Sequence, residues 1–254
     1  MKITVLGCGS SGGVPLIGNN WGACDPNDPR NRRTRVSVLV EEGDTSILID
    51  TSPDVRQQLL NCNLQNLSAV LYTHAHADHC HGIDDLRSVS WLTKGPIPIY
   101  ADADTMQQLE ERFAYAFHGS NSAGHFYRQI VAPHIIEDVF QIGPITITPF
   151  VQNHGDVQSL GFRLNNFAYS TDVKELDDAA FQILRGTKAW VVDCVREMPH
   201  PTHSHLAQTL EWIARVKPKQ AFLTHLNHTV DYATLAAKCP KGTEPAYDGL
   251  VISC

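Results

Sequence analysis

Short apolar blocks, some alternating with polar residues and some unbroken, recur along the chain, and their period marks the elements. ITVL (3–6) reads as a first strand, and VSVLVE (36–41) with SILID (46–50) as a hairpin turning at Gly43-Asp44. Ser52 or Thr51 is placed to cap a helix running to about Leu60. AVLYT (69–73) has the β-branched and aromatic character of a buried strand. GIDDLRSVSWL beyond it has the period of an amphipathic helix, IPIY (97–100) is again a strand, and a helix follows from Asp104. ITITPF (145–150), SLGFRL (159–164), FAYST (167–171), AWVVDC (189–194) and AFLTH (221–225) are strands, with helices near 175–185, 204–216 and 230–237. Hairpins alternating with helices in two successive halves predict an α/β fold: an αββα sandwich of two mixed β-sheets flanked by helices, one domain spanning 1–254. The segment 112–135 is rich in aromatics and histidines around a Gly-Ser-Asn-Ser-Ala-Gly tip, is long for a connection, and is expected to cover a site.

The loop leaving AVLYT adds chemistry to this pattern. THAHADHCHG places His74, His76, Asp78 and His79 within a few residues of a strand end. In an extended loop, alternation puts His74, His76 and Asp78 on one side, and the turn opening the next helix swings His79 beside Asp78. Imidazole nitrogens and carboxylate oxygens suit borderline divalent ions such as zinc or manganese. Three later residues also lie at strand ends: His154 after ITITPFVQ, Asp172 after FAYST and His225 closing AFLTH. Asp50, ending SILID, is expected either to orient a metal-bound histidine from behind or to serve as a simple turn or cap residue.

Two other signals carry less. Gly7, Gly9 and Gly12 satisfy GxGxxG after a strand, but Gly13, Pro15, Gly18, Gly22 and Pro26 forbid the helix that a dinucleotide site needs. A glycine loop that lets backbone pass close to the metal site fits better. Arg30, Arg32, Arg33 and Arg35 end a proline-punctuated loop that is either a solvated basic stretch or a phosphate-steering one.

Composition narrows the function classes. With 254 residues and 43% hydrophobic content the chain can bury a sizeable core. A balance of 20 basic against 27 acidic residues, net −7, makes a large nucleic acid an improbable partner. The seven cysteines, at 8, 24, 62, 80, 194, 239 and 254, show no disulfide spacing, so a reducing cytoplasm is the expected location. The sequence begins directly with a strand, and no run approaches the ~20 apolar residues of a membrane span. Both a monomer and a homodimer are compatible with these features.

THAHADHCHG resembles the signature of the metallo-β-lactamase fold superfamily of hydrolases. Over nearly the whole chain the similarity is greatest to its phosphodiesterases that open phosphoribosyl cyclic phosphate in the carbon-phosphorus lyase pathway. The resemblance implies two divalent metal ions: His74, His76 and His154 on one, Asp78, His79 and His225 on the other, and Asp172 bridging both. It further implies catalytic roles for Asp172 and for His203 of HPTHSH (200–205), the latter near the leaving oxygen, and a substrate that is a small cyclic phosphate or nucleotide-like phosphodiester. His228 is expected to face substrate, and Asp248 to support the site from behind. Those phosphodiesterases carry a CxCxxC cluster for a structural zinc in the loop at 19–35. Only Cys24 remains here, beside Asp25 and Asp28, so that zinc is not expected. His81, His118, His125, His134 and His200 are read as structural. A tRNA 3′-end endonuclease shares the ligand pattern, but its basic arm has no counterpart here. A non-catalytic nucleotide or metal binder on the same fold is the third reading.

Overall fold

The computed structural model describes residues 1–119 and 128–254. The first half builds β1 (Lys2–Gly7), β2 (Ser37–Glu42), β3 (Thr45–Ile49), α1 (Val55–Asn61), β4 (Ala69–Leu71), α2 (Ala77–Cys80), α3 (Leu86–Leu92), β5 (Ile97–Ala101), α4 (Ala103–Arg112), α5 (Ala114–His118) and β6 (Val131–Ile135). The second half builds β7 (Phe140–Ile142), β8 (Ile145–His154), β9 (Val157–Leu164), β10 (Phe167–Ser170), α6 (Asp178–Leu184), β11 (Ala189–Asp193), α7 (Leu206–Val216), β12 (Gln220–Thr224), α8 (Tyr232–Ala236), β13 (Thr243–Pro245) and β14 (Val251–Ser253).

Two seven-stranded sheets result, ordered β14-β1-β2-β3-β4-β5-β6 and β13-β12-β11-β10-β9-β8-β7. Each sheet runs antiparallel at one end, through β3 in the first and β10 in the second, and parallel beyond. The tight turn at Gly43, φ 59°, sets the β2–β3 register in which Glu42 opposes Thr45. Between the sheets lies a core that includes Ile3, Val38, Ile49, Phe162, Tyr169 and Val191. Helices α1 to α5 cover the outer face of the first sheet, and α6 to α8 that of the second. This is the αββα sandwich that the alternation predicts. Fully burying side chains such as Phe162 or Ile49 contributes about 1.5 to 3 kcal/mol each. Among the described residues no helix is long and apolar enough to cross a membrane.

Three local expectations need correction. Part of the 112–135 segment is the edge strand β6, paired with β5 along its full length; the tip residues 120–127, His125 included, lie outside the described residues. Neither Ser52 nor Thr51 is the cap of α1, which is Asp54. Ser52 closes the preceding turn by accepting the Asp54 N–H, and Thr51 Oγ1 pairs with the Tyr72 hydroxyl. The strand of ITITPF extends to His154, which is its last residue.

The glycine loop passes beside the end of β12, next to His225. Ser10 N–H donates to Leu226 O, and Leu226 N–H to Cys8 O, immediately after His225. Close packing requires the glycine at position 7, because a Cβ there would lie 2.1 Å from the Arg35 carbonyl. A further link joins the two sheets where Leu160 N–H donates to Thr73 O at 2.8 Å.

Candidate metal centre

Asp50 and His225 are the first residues past β3 and β12 and Asp172 is the second past β10, and all three have left-handed backbone, with φ of 64°, 59° and 54°. Such a conformation costs a non-glycine residue on the order of 1 kcal/mol, and strained backbone of this kind clusters at functional sites. Asp50 is fully buried. Its Oδ1 accepts the Thr73 N–H at 2.8 Å, and its Oδ2 accepts Thr73 Oγ1 at 2.8 Å and His79 Nδ1 at 2.7 Å. With Nδ1 held there, His79 Nε2 faces Asp78 Oδ2 at 3.4 Å and Asp172 Oδ2 at 3.1 Å.

Asp172 sits at the middle of the cluster with its two oxygens facing different histidines. Oδ1 lies 4.0 Å from His74 Nε2 and 3.5 Å from His154 Nε2; Oδ2 lies 3.1 Å from His79 Nε2 and 3.1 Å from His225 Nδ1. Two groups of potential ligand atoms result, His74, His76, His154 and Asp172 in one, and Asp78, His79, Asp172 and His225 in the other. Within each group the atoms all lie within 4.8 Å of one another. His154 is oriented by its Nδ1, which donates to Thr202 O at 2.8 Å. Asp172 is fixed from behind, since its carbonyl accepts Ser159 Oγ and its Oδ2 accepts Thr171 Oγ1.

The electrostatics match the geometry. Burial holds His74, His76 and His154 below the ordinary histidine pKa, hence neutral and able to donate a lone pair. Burial works against charge on His79 as well, but Asp172, Asp78 and Asp50 outweigh it and raise its pKa well above normal. Burial alone would raise the Asp172 carboxyl; the His225 and His79 charges hold it well below the usual range.

The donor set fits divalent metal. His74 Nε2 and His79 Nε2, one in each group, are buried and have no hydrogen-bond partner; the 3.1 Å approach of His79 to Asp172 is too poorly aligned to count as one. Buried nitrogens left so cost about 1 to 3 kcal/mol apiece unless something binds them. An imidazole and carboxylate set of this kind is what zinc and similar ions take.

His203 stands beside this cluster, outside both groups. Its ring packs 4.7 Å from His154 and 4.6 Å from His225, centroid to centroid, and its Nε2 lies 3.9 Å from Asp172 Oδ1. Its Nδ1 donates to Asp193 Oδ2 at 3.0 Å. Burial draws the imidazole pKa down, but the Asp193 carboxylate more than reverses this and sets it at about 9.

All seven expected ligands therefore converge, with His203 adjacent, and His228 belongs to neither group. Its ring packs so close to Gly22 that a Cβ there would sit 2.6 Å from Cδ2, and its carbonyl accepts Ala23 N–H and the Cys24 thiol. Asp248 touches no histidine of the cluster; it accepts Cys8 N–H, Thr34 N–H and Thr34 Oγ1, pinning the glycine loop. The arginines of the 19–35 loop are engaged locally, Arg30 with Asp28, Arg35 with Asp54, and Arg32 over the Trp21 ring. Arg33 is buried and bonds Asn31 Oδ1, Asn227 O and Cys24 Sγ. His200 borders His203 at 5.0 Å, His81 packs on Phe113, His134 on Tyr100, and His118 pairs with Glu110. Asp193 is the residue sequence reasoning missed. The available signal was its place at the end of AWVVD, matching Asp50 after SILI and Asp172 after FAYST.

Comparison with known proteins agrees with this geometry. Residues 45–226 match the family model of the beta-lactamase superfamily domain. A crystal structure of a diphosphatase from the PhnP family superposes with a TM-score of 0.91 at 33% identity, covering 100% of this chain and 97% of that one. Zinc-bound PqqB from Methylobacterium extorquens superposes with a TM-score of 0.75 at 19% identity, covering 100% of both chains, a likeness of fold. Among curated sequences, an octanoyltransferase of Porphyromonas gingivalis is 31% identical over 98% of this chain, which spans about half, 51%, of that relative's length.

Proposed function

The chain belongs to the β-lactamase superfamily of metal-dependent hydrolases, and from that premise we propose that it hydrolyses a small cyclic phosphate or nucleotide-like phosphodiester with two divalent ions, zinc or manganese, in its site. A disubstituted diphosphate, the kind of linkage implied by the PhnP-family diphosphatase, presents the same monoanionic P–O–R centre and falls within this class. The observation that carries the reading is the division of the Asp172 carboxylate, one oxygen toward His74 and His154 and the other toward His79 and His225.

His74, His76 and His154 would hold one ion, Asp78, His79 and His225 the second, and Asp172 would bridge them. Divalent ions there supply positive charge for the phosphoryl oxygens and lower the pKa of water. The chain's own residues do the rest. Asp50 and the Thr202 carbonyl fix the tautomers of His79 and His154, so their Nε2 lone pairs point into the site. His203, held by Asp193 and protonated at neutral pH, donates its Nε2 proton to the oxygen that departs as the P–O bond breaks.

The test combines metal analysis with a substrate panel of cyclic phosphates, disubstituted diphosphates, aryl phosphodiesters, phosphomonoesters, a β-lactam and a precursor tRNA. Diesters should be cleaved in preference to monoesters, because among the described residues neither lysine nor arginine is in the candidate ligand groups or among the contacts of His203 to clamp a dianion. Turnover of the monoester, the lactam or the tRNA above that of every diester would overturn the proposal.

A further inference from the structure

Five of the expected ligands are histidines, and four of these have a ring nitrogen engaged by a neighbouring oxygen. His74 Nδ1 meets Thr73 Oγ1 at 3.0 Å, His79 Nδ1 meets Asp50 Oδ2 at 2.7 Å, His154 Nδ1 donates to Thr202 O at 2.8 Å, and His225 Nδ1 lies 3.2 Å from Thr171 Oγ1. His76 differs. Its residue is exposed, its ring packs on those of His74 and His154, and among the described residues neither of its nitrogens makes a hydrogen bond. A ligating imidazole is ordinarily oriented by a partner on its other nitrogen, so His76 has to be aimed in another way.

The backbone on both sides of His76 supplies that aim. His76 is the N-cap of α2, and its carbonyl accepts the His79 N–H at 3.0 Å and the Cys80 N–H at 3.2 Å. The peptide on its other side is held by the Ala75 carbonyl. That oxygen accepts the Cys80 thiol at 3.5 Å, a weak donor, and Nη1 of Arg112, a charged one. Arg112 is the last residue of α4, and its Nη2 donates to Gln108 Oε1 at 2.7 Å, one turn back on the same helix. One nitrogen of the planar guanidinium is thus fixed on α4 while another reaches the ligand loop. Because each peptide unit is planar, the two units flanking His76 together set the direction of its Cα–Cβ bond.

We infer that Arg112 is a positioning residue of the metal centre: through the Ala75 carbonyl it sets the direction from which His76 reaches its ion. The inference rests on the two-ion reading above and adds to it a residue outside both ligand groups. Two plainer roles are separable from this one. A cation in the last turn of a helix complements the helix dipole, but that role needs no contact with Ala75. Among the described residues no carboxylate pairs with Arg112, so it is not held there as half of an ion pair. Its charge alone would act in the opposite sense, since a guanidinium beside the site repels a metal cation.

The experiment titrates the parent, Arg112→Met and Arg112→Lys with zinc against a chromophoric chelator, with no substrate present. Arg112→Met should weaken one of the two ions about tenfold, the lower end of what a ligating histidine loses with its support, and leave the other unchanged. Arg112→Lys keeps the charge and a donor but not the planar fork, and should fall between the two. Denaturant unfolding of the metal-free protein should be the same for all three, because the residue is exposed. Parent-like or tighter binding in Arg112→Met overturns the inference. So does an equal weakening of both ions, which would make Arg112 a part of the general scaffold. A parent that binds no zinc at this centre overturns the two-ion reading, and the inference with it.

Discussion

One carboxylate oxygen of Asp193, Oδ2, accepts both His203 Nδ1 at 3.0 Å and the Val173 N–H at 2.9 Å. The same atom thus ties the imidazole to the backbone that follows Asp172. A charge on Asp193 both orients His203 and favours its protonated form.

His203→Ala should therefore keep its metal content and lose about 10² to 10⁴ in kcat on esters with alkyl leaving groups. The loss should shrink on nitrophenyl esters, whose leaving group needs no proton. Asp193→Asn should cost less, about 10- to 100-fold, and should move the alkaline limb of the kcat profile to lower pH. The sign follows from the carboxylate raising the His203 pKa: without it the acid form is lost earlier as pH rises. Unchanged metal content is the control in both variants. An equal slowing of both ester types by His203→Ala would assign that residue a structural role.

Asp50 has the equivalent position for metal binding. Its Oδ2 holds His79 Nδ1 at 2.7 Å inside a fully buried network with Thr73. Asp50→Ala should weaken metal binding by about 10- to 100-fold, as expected for removing the partner of a ligating histidine. Competition titration with a chromophoric chelator measures this directly, with no substrate present.

The parts of this site that were legible in the sequence are those whose signal is local or repeated. HxHxDH is compact enough to read alone, and His154, Asp172 and His225 became readable through their order at strand ends. Asp193 carries no such spacing; a single carboxylate ending an apolar run has a role only when the fold puts His203 against it. The sandwich itself was legible from alternation, but β6 was not. It is an edge strand, largely exposed and interrupted by Pro133, so neither its burial pattern nor its composition reads as a sheet member. Strands β7, β13 and β14 are three residues each, too short for a period to register. The burial of Arg33 was equally invisible, because an arginine in a polar loop reads as solvated until its partners from residues 24 and 227 are known.

Chelation should lower the melting temperature, since it leaves His74 Nε2 and His79 Nε2 buried without partners and several carboxylates without a counter-charge. Metal analysis should approach two ions per chain and not three, because Arg33 and its partners fill the loop around Cys24. Asp172→Ala should lose at least one of the two, since one carboxylate there offsets the repulsion of two cations. A variant that keeps both with unchanged affinity would reject the bridging role.

The 24–33 loop is tied to the start of α8 through Asn31. Asn31 Nδ2 donates to Asp231 Oδ2 at 2.8 Å, while Asn31 Oδ1 accepts Arg33 and the Tyr232 N–H. Asp231 Oδ1 also accepts the Thr234 N–H as the cap of α8. Partial burial would raise the Asp231 carboxyl, but the donors from Thr234, Asn31 and Asp25 prevail and lower its pKa to about 2. A carboxylate whose pKa is lower folded than unfolded stabilises the fold above the unfolded value, near 4, and that contribution fades as pH falls toward 2. Acid should therefore loosen this contact in that window. Asp231→Asn keeps the helix cap but removes the titrating charge, so its melting temperature should fall less steeply than that of the parent between about pH 4 and pH 2. Arg33→Met, by contrast, removes hydrogen bonds that do not titrate there. It should destabilise by about 3 kcal/mol in denaturant unfolding at neutral pH, without changing the number of metal ions bound. Identical acid profiles for the parent and Asp231→Asn would show that the carboxylate contributes nothing in this range.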